Sequence, residues 1–213
     1  MAQITKGILG GFSGTVGTVV GANFRGKDII RSRPKRSSRK PSEKQLLQQE
    51  KFKLAIAFLQ PLKPIQNKYF GVRSGAKSRV NLAVSYFLEN AIQVVMNVPQ
   101  LLYNKILITK GELTGFQNPA AVAQANQEIE LSWEDNSTQG NANATDLVSV
   151  VCYSEALGSF EIFESLASRA DLTTPVTLPA FYATLEVHVW MYLNNEAESV
   201  ACNSGYLGVV TVL

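Results

Sequence analysis

Few residues of this chain have the type and spacing that catalysis needs. The single histidine, His188, follows Glu186 in an alternating stretch, and an imidazole near a carboxylate is the minimum for general acid–base chemistry. On an alternating strand both side chains share the polar face, so a solvent-facing residue is the stronger reading. The glycine-rich stretch 7–21 lacks the Gly-Lys-Ser/Thr ending and the following helix that would aim N–H groups at a phosphate. Glu134-Asp135 and Glu161 with Glu164 fall in polar loops or at edges, where solvated charge is the default. Cys152 and Cys202 have no His or Cys at ligand spacing, which argues against zinc and leaves two buried, unpaired thiols as the expectation. No catalytic residue, cofactor or metal is assigned. The chain is read as non-enzymatic, and no small-molecule substrate is inferred.

Charge is the more informative signal. The net charge of +3 conceals a segregation: residues 1–80 hold 17 Lys and Arg against 3 acidic residues, and residues 81–213 hold 3 against 14. One region attracts polyanions or acidic surfaces and the other repels them. The cationic charge is densest at Arg31, Arg33, Lys35, Arg36, Arg39 and Lys40, six of ten successive residues. Three readings of this arm stay open. It is a solvated linker, an arm that lies on the acidic surface of another copy, or a weak, sequence-independent contact to nucleic acid through phosphates. Phe24 is the only aromatic near it, so a stacking platform for single strands is missing.

The elements that must position this charge begin with a glycine-punctuated run at residues 10–21, suited to extended chain that bends or approaches another backbone closely. Residues 19–24 and 27–32 flank Arg25-Gly26, which predicts a β-hairpin with a two-residue turn. Pro34, Ser37 and Ser38 keep the arm out of strand and helix. A helix start follows at Pro41-Ser42-Glu43-Lys44-Gln45, with Ser42 as N-cap and Gln45 closing the capping box. Leu47, Leu54 and Phe58 on one stripe, with Phe52, Ile56 and Leu59 beside it, predict a broad apolar face, and Pro61 and Pro64 stop the helix. Residues 65–70 read as a further helical turn. A second helix is expected over 78–96, with Leu82, Tyr86, Phe87, Ile92 and Val95 at helical spacing.

From residue 102 the period changes to two, and strands are predicted at 105–109, 128–133, 147–153, 185–192 and 206–212, with another start bracketed by Pro175 and Pro179. Within 185–192, Leu185, Val187, Val189 and Met191 read as the dry face, and Glu186, His188, Trp190 and Tyr192 as the wet one. Two domains are expected, 1–101 with hairpin, basic arm and helices, and 102–213 as a β-sandwich. A hydrophobic content of 46% over 213 residues supports a core without disulfides. No run approaches a membrane helix and no classical signal peptide is read at the start, so a cytoplasmic or virion location is expected, with no membrane partner.

The strand Ile129-Glu130-Leu131-Ser132-Trp133, the apolar strand at 147–153 and the late strand near Tyr206 resemble the pattern of fibronectin type III and related immunoglobulin-like sandwiches. More specifically, Gly14-Thr15-Val16-Gly17-Thr18-Val19-Val20-Gly21, Arg31-Ser32-Arg33-Pro34 and Pro41-Ser42-Glu43-Lys44-Gln45-Leu46, leading to Phe52 and Phe58-Leu59, resemble a bacterial family known as domain of unknown function number 6266. The basic arm and the helix after it are also similar to phage structural proteins. The family brings no catalytic residue with it.

The expected fold is α+β: an N-terminal β-hairpin and basic arm, two helices, then an antiparallel immunoglobulin-like β-sandwich. The expected function is a structural or assembly protein that forms a homo-oligomer, as a virion component, fibre or shell. Val16, Val19, Val20 and Ile29 would supply apolar contact, and Arg31, Arg33, Lys35, Arg36, Arg39 and Lys40 charge. The alternative is a polyanion or nucleic-acid binding module that uses the arm 31–40.

Overall fold

The structure, a computed structural model, describes residues 3–4, 10–24, 26–35, 40–73 and 77–213. Two compact units divide the chain, Met1–Ser42 and Glu43–Leu213. The sequence put its boundary at 101–102, whereas here the helices share a unit with the strands that follow, because their apolar side chains pack on the same core.

The first unit is an antiparallel sheet in chain order, β1 (Gln3–Ile4), β2 (Phe12–Val16), β3 (Val19–Phe24) and β4 (Lys27–Ser32). Glycine supplies positive φ in the link between β2 and β3, where Gly17 has φ 57°. At Gly21 a side chain would run into the carbonyl oxygen and ring of Phe12. The predicted hairpin is present with the expected bounds, Phe24 pairing with Lys27. Of its two turn residues Gly26 has φ 82°, and Arg25 lies outside the described residues.

The second unit opens with α1 (Glu43–Leu59), which starts one residue after Ser42, where the capping signal put it. Its apolar face is narrower than expected. Ala55, Phe58 and Leu59 are buried, while Leu46, Phe52 and Ile56 are exposed, so the first three turns stand clear of the core. Pro64 does not stop a helix but sits in the first turn of α2 (Lys63–Tyr69), a position where its missing N–H costs nothing. The helix α3 (Arg79–Asn90) begins where Ser78 accepts a hydrogen bond from Asn81 N at 3.2 Å, and it ends six residues short of the expected 96. Residues 92–101 form a hairpin instead, β5 (Ile92–Val95) and β6 (Val98–Leu101), turning through Met96 and Asn97, both at positive φ. Ile92 and Val95 are three apart and fit a helical stripe, but a β-branched run around a left-handed turn favours the hairpin.

Seven strands complete the unit. A sheet in the order β11 (Thr173–Thr177), β8 (Glu128–Glu134), β7 (Gln117–Gln124) and one in the order β10 (Ser159–Ser168), β9 (Leu147–Ser154), β12 (Glu186–Asn194), β13 (Gly205–Thr211) are antiparallel throughout. The molecule is mostly β with three helices among the described residues. Ile129, Leu131 and Trp133 of one sheet share a core with Val150, Cys152, Val187 and Val189 of the other. The strand expected at 105–109 is absent. A 3-10 turn occupies Tyr103–Lys105, and the extended chain after it bonds to side chains and loops: Ile108 N donates to Ser204 Oγ at 2.8 Å, and Thr109 Oγ1 to the Cys202 carbonyl at 2.8 Å.

The outer face of the four-stranded sheet is not wet. Trp190 and Tyr192, predicted to face solvent, are buried, because the helices lie over them: the Phe58 ring meets Tyr153, Phe160 and Trp190 at 5.1, 4.9 and 6.3 Å, and Tyr69 meets Tyr192 at 6.1 Å. From Val189 to Asn194 both faces of β12 are therefore dry, and strict alternation underestimates its burial.

Candidate assembly surface

In the first unit, cross-strand pairing decides which side chains stand together, since partners in an antiparallel ladder share a face. Val16 pairs with Val19, and Gly21 with Ile30, so Val16, Val19 and Ile30 lie on one face. Val20 pairs with Arg31, and Ala22 with Ile29, which puts Val20, Ile29 and Arg31 on the other. The four apolar residues named from the sequence, Val16, Val19, Val20 and Ile29, are thus divided between two faces. Ile30, which the sequence reading omitted, is the most exposed apolar residue of the sheet at 71%, ahead of Val16 at 58%. Its signal was present in the Ile29-Ile30 pair, because adjacent strand residues must point to opposite sides.

Gly21 is the one buried position among the described residues of this unit. Every residue of β4 is exposed, and β4 ends the sheet with one side of its backbone unpaired. The N–H of Arg33 donates to Thr18 O at 2.7 Å, so the inward-facing backbone groups belong to Arg31 and Arg33. Those of Ile30 and Ser32 point to the free edge, by the alternation of an antiparallel ladder. Arg31, Arg33, Lys35 and Lys40 are exposed, and Arg36 and Arg39 lie outside the described residues. Asp28, the only acidic residue before Glu43, accepts from Asn23 Nδ2 at 2.8 Å. The ion pairs among the described residues are Lys68–Glu198 and Arg169–Asp146, neither of which involves the arm.

The residues with chemical potential are held otherwise. His188 is half-buried on the helix side of its sheet, not on a wet face. It stacks on Tyr103 with centroids 3.7 Å apart and bonds through Nδ1 to the Tyr206 hydroxyl at 2.8 Å. Burial holds its pKa below the ordinary 6.5, and Glu155 and Glu186 act in the opposite direction. Cys152 and Cys202 are free and buried, as expected, and burial pushes their pKa values up to about 12 and about 11. Asp135 is held below its ordinary value by the N–H of Ser137. Among the described residues no cluster of His, Cys, Asp or Glu could hold a metal ion, and no helix is long and apolar enough to cross a membrane. A cleft of about 340 Å³ between Tyr69, Val72, Arg79 and Val200 was not foreseen; Lys68 at its wall is held by Glu198 at 2.9 Å.

The profile of a family of unknown function, DUF6266, matches residues 11–208. No curated protein matches the chain. Among solved structures, the FN5 domain of Drosophila Lar is similar over 48% of this chain and 96% of its own, with 12% identity and a TM-score of 0.33. The FN1–FN3 domains of chicken CNTN1 are similar over 47% of this chain, with 10% identity and a TM-score of 0.32, and the match spans 32% of that longer chain.

Proposed function

This chain belongs to the DUF6266 family of unknown function, and we propose that it is a non-enzymatic structural protein that joins copies of itself into a higher-order assembly through its N-terminal sheet. The observation that carries the reading is the uncovered sheet itself. Among its described residues, four strands bury one glycine side and leave Val16, Ile29 and Ile30 in solvent. A sheet needs an apolar face against something to be stable, and an open edge is a template for another chain. Covering those side chains would contribute about 25 cal/mol per Å² of apolar surface, and the cationic arm would orient the approach to an acidic surface. A strand donated to a neighbour makes contact between unlike surfaces, which closes into a ring or extends into a filament. We read strands β7 to β13 as an immunoglobulin-like sandwich that serves as the body of the protomer. A virion component, fibre or shell, inside a cell or in a particle, fits that design.

The test compares the full chain with one that starts at Pro41, at matched concentration, by light scattering and negative-stain microscopy. The full chain is expected to assemble and the shortened one to stay monomeric. A monomeric full chain, or equal assembly by both, overturns the proposal. The exposed Arg31, Arg33 and Lys35 favour polyanion binding as the second reading. Roughly six phosphate contacts would lose about 10³-fold in affinity between 50 and 200 mM salt. Tight duplex binding that survives physiological salt, read by anisotropy, would promote it.

A further inference from the structure

If the N-terminal sheet joins copies, some surface of the neighbour must receive it, and that surface should offer a free strand edge, apolar side chains at matching positions and a carboxylate for the arm. Edge strands among the described residues of the second unit are β7, β11, β10 and β13, together with β5 and β6 of the two-stranded hairpin, which hold no acidic residue. Of these β10 alone combines acidic residues with exposed apolar ones, holding Glu161 and Glu164 beside Ile162 at 36% and Leu166 at 37% exposure. It pairs regularly with β9 from Ser159 to Phe163 and then bulges before Ala167, so five residues present a straight free edge and the bulge ends it.

Glu161 is the informative residue. Its register partner on β9 is the buried Cys152, so the carboxylate lies on the core side of the strand, near Tyr182, whose pKa is raised first by burial and then by the charge and hydrogen bonding of Glu161. It forms no ion pair among the described residues. A charge turned inward on an edge strand repels an apolar strand that would add there, which is how sheets avoid indiscriminate pairing. The same carboxylate accepts a strand that brings a cation to that position.

Resting on the proposed self-assembly, we infer that β4 of one copy adds antiparallel to the free edge of β10 in a second copy, with Ile30 opposite Ile162 and Arg31 opposite Glu161. This register also sets Ile29 opposite Phe163 and Arg33 opposite Ser159, one diagonal step from Glu161. The isoleucine pair falls on one face and the charge pair on the other, as the alternation of both strands requires. Ile30 and Ser32 turn their backbone groups outward, so the edge of β4 has donors and acceptors ready. A slip by one residue would set Ile30 against Glu161 or Arg31 against Ile162, burying a charge on an apolar side chain, so the register is specified.

Mixing two single variants of the full chain, Ile30→Cys and Ile162→Cys, under mild oxidation tests the contact, because only a bond between different copies can join them. The native thiols are buried and contribute little background. A reducible heterodimer linked through positions 30 and 162, absent when either variant is oxidised alone, is expected. Arg31→Glu and Glu161→Arg should each weaken self-association about tenfold, and mixing the two should restore it between copies. Assembly by light scattering without the heterodimer overturns this contact and leaves self-assembly standing. Absence of both assembly and heterodimer overturns the two together.

Discussion

Arg169 donates from both Nε and Nη2 to one carboxylate oxygen of Asp146, at 3.2 and 3.0 Å, with the two side chains 0% and 1% exposed. The other guanidinium hydrogens go to the Gly115 carbonyl at 3.1 Å, the Thr114 carbonyl at 2.7 Å and Asn136 Oδ1, so all five donors are satisfied. The Trp133 indole donates to the Arg169 carbonyl at 2.7 Å. One side chain thereby ties the chain before β7 to the connection between β8 and β9. Removing one partner of a buried pair leaves an uncompensated charge, which costs about 3–5 kcal/mol. Asp146→Ala should lose that much in urea unfolding, and Arg169→Lys should also destabilise because an ammonium cannot supply the fork. A loss below about 1 kcal/mol for Asp146→Ala would show that the network is not structural.

For His188 the sign follows from burial. A folded pKa below 6.5 means that the unfolded chain binds the proton more readily, so stability is full above the unfolded pKa and falls as pH drops through the folded one. Proton NMR of this single imidazole should give a midpoint below 6.5. Because Glu155 acts to raise the value, Glu155→Gln should lower it further. A midpoint at or above 6.5 would mean the ring is solvated and not stacked on Tyr103.

Thiol chemistry should be silent in the native state. Burial holds Cys152 and Cys202 well above ordinary thiols, so labelling at pH 8 is expected only after unfolding, with two thiols per chain. A mass two hydrogens lower before reduction would reveal a disulfide and contradict the structure.

The turn of the β5–β6 hairpin carries a cost that can be removed. Met96, 95% exposed, holds φ 49° beside Asn97 at 64°, where Asn-Gly is the favoured pair. Met96→Asn with Asn97→Gly should raise stability by about 1–2 kcal/mol. A fall in stability would mean that the left-handed backbone at these two positions is not the source of the cost.

Local signals were legible where one rule acted alone. The hairpin of β3 and β4 followed from two glycine-linked extended runs, and α1 followed from Ser42 and the residues after it. Side-chain environment was legible only where one layer covered each strand. Trp190 and Tyr192 alternate as a half-wet strand should, yet the helices cover them, and that cover depends on contacts with Phe58 and Tyr69 distant in sequence. β7 and β10 were missed because Pro119, the alanines around it and the Glu-Ser bulge of β10 carry weak strand propensity, and long-range pairing overrides it. At the candidate surface the sequence named Val16, Val19, Val20 and Ile29 as apolar contacts without assigning them to a face. Strand register, which no single strand contains, divided them and brought in Ile30.

The central claim is that another copy of the chain covers the free edge of β4. Hydrogen exchange of the full chain across a range of concentrations tests it most directly. The N–H groups of Ile30 and Ser32 face that edge, while those of Ile29 and Arg31 face β3 and act as the internal reference. The outward pair should exchange freely in dilute protein and become at least about tenfold slower as concentration rises, with the inward pair changing less. Exchange of Ile30 and Ser32 that is the same at every concentration would contradict the account.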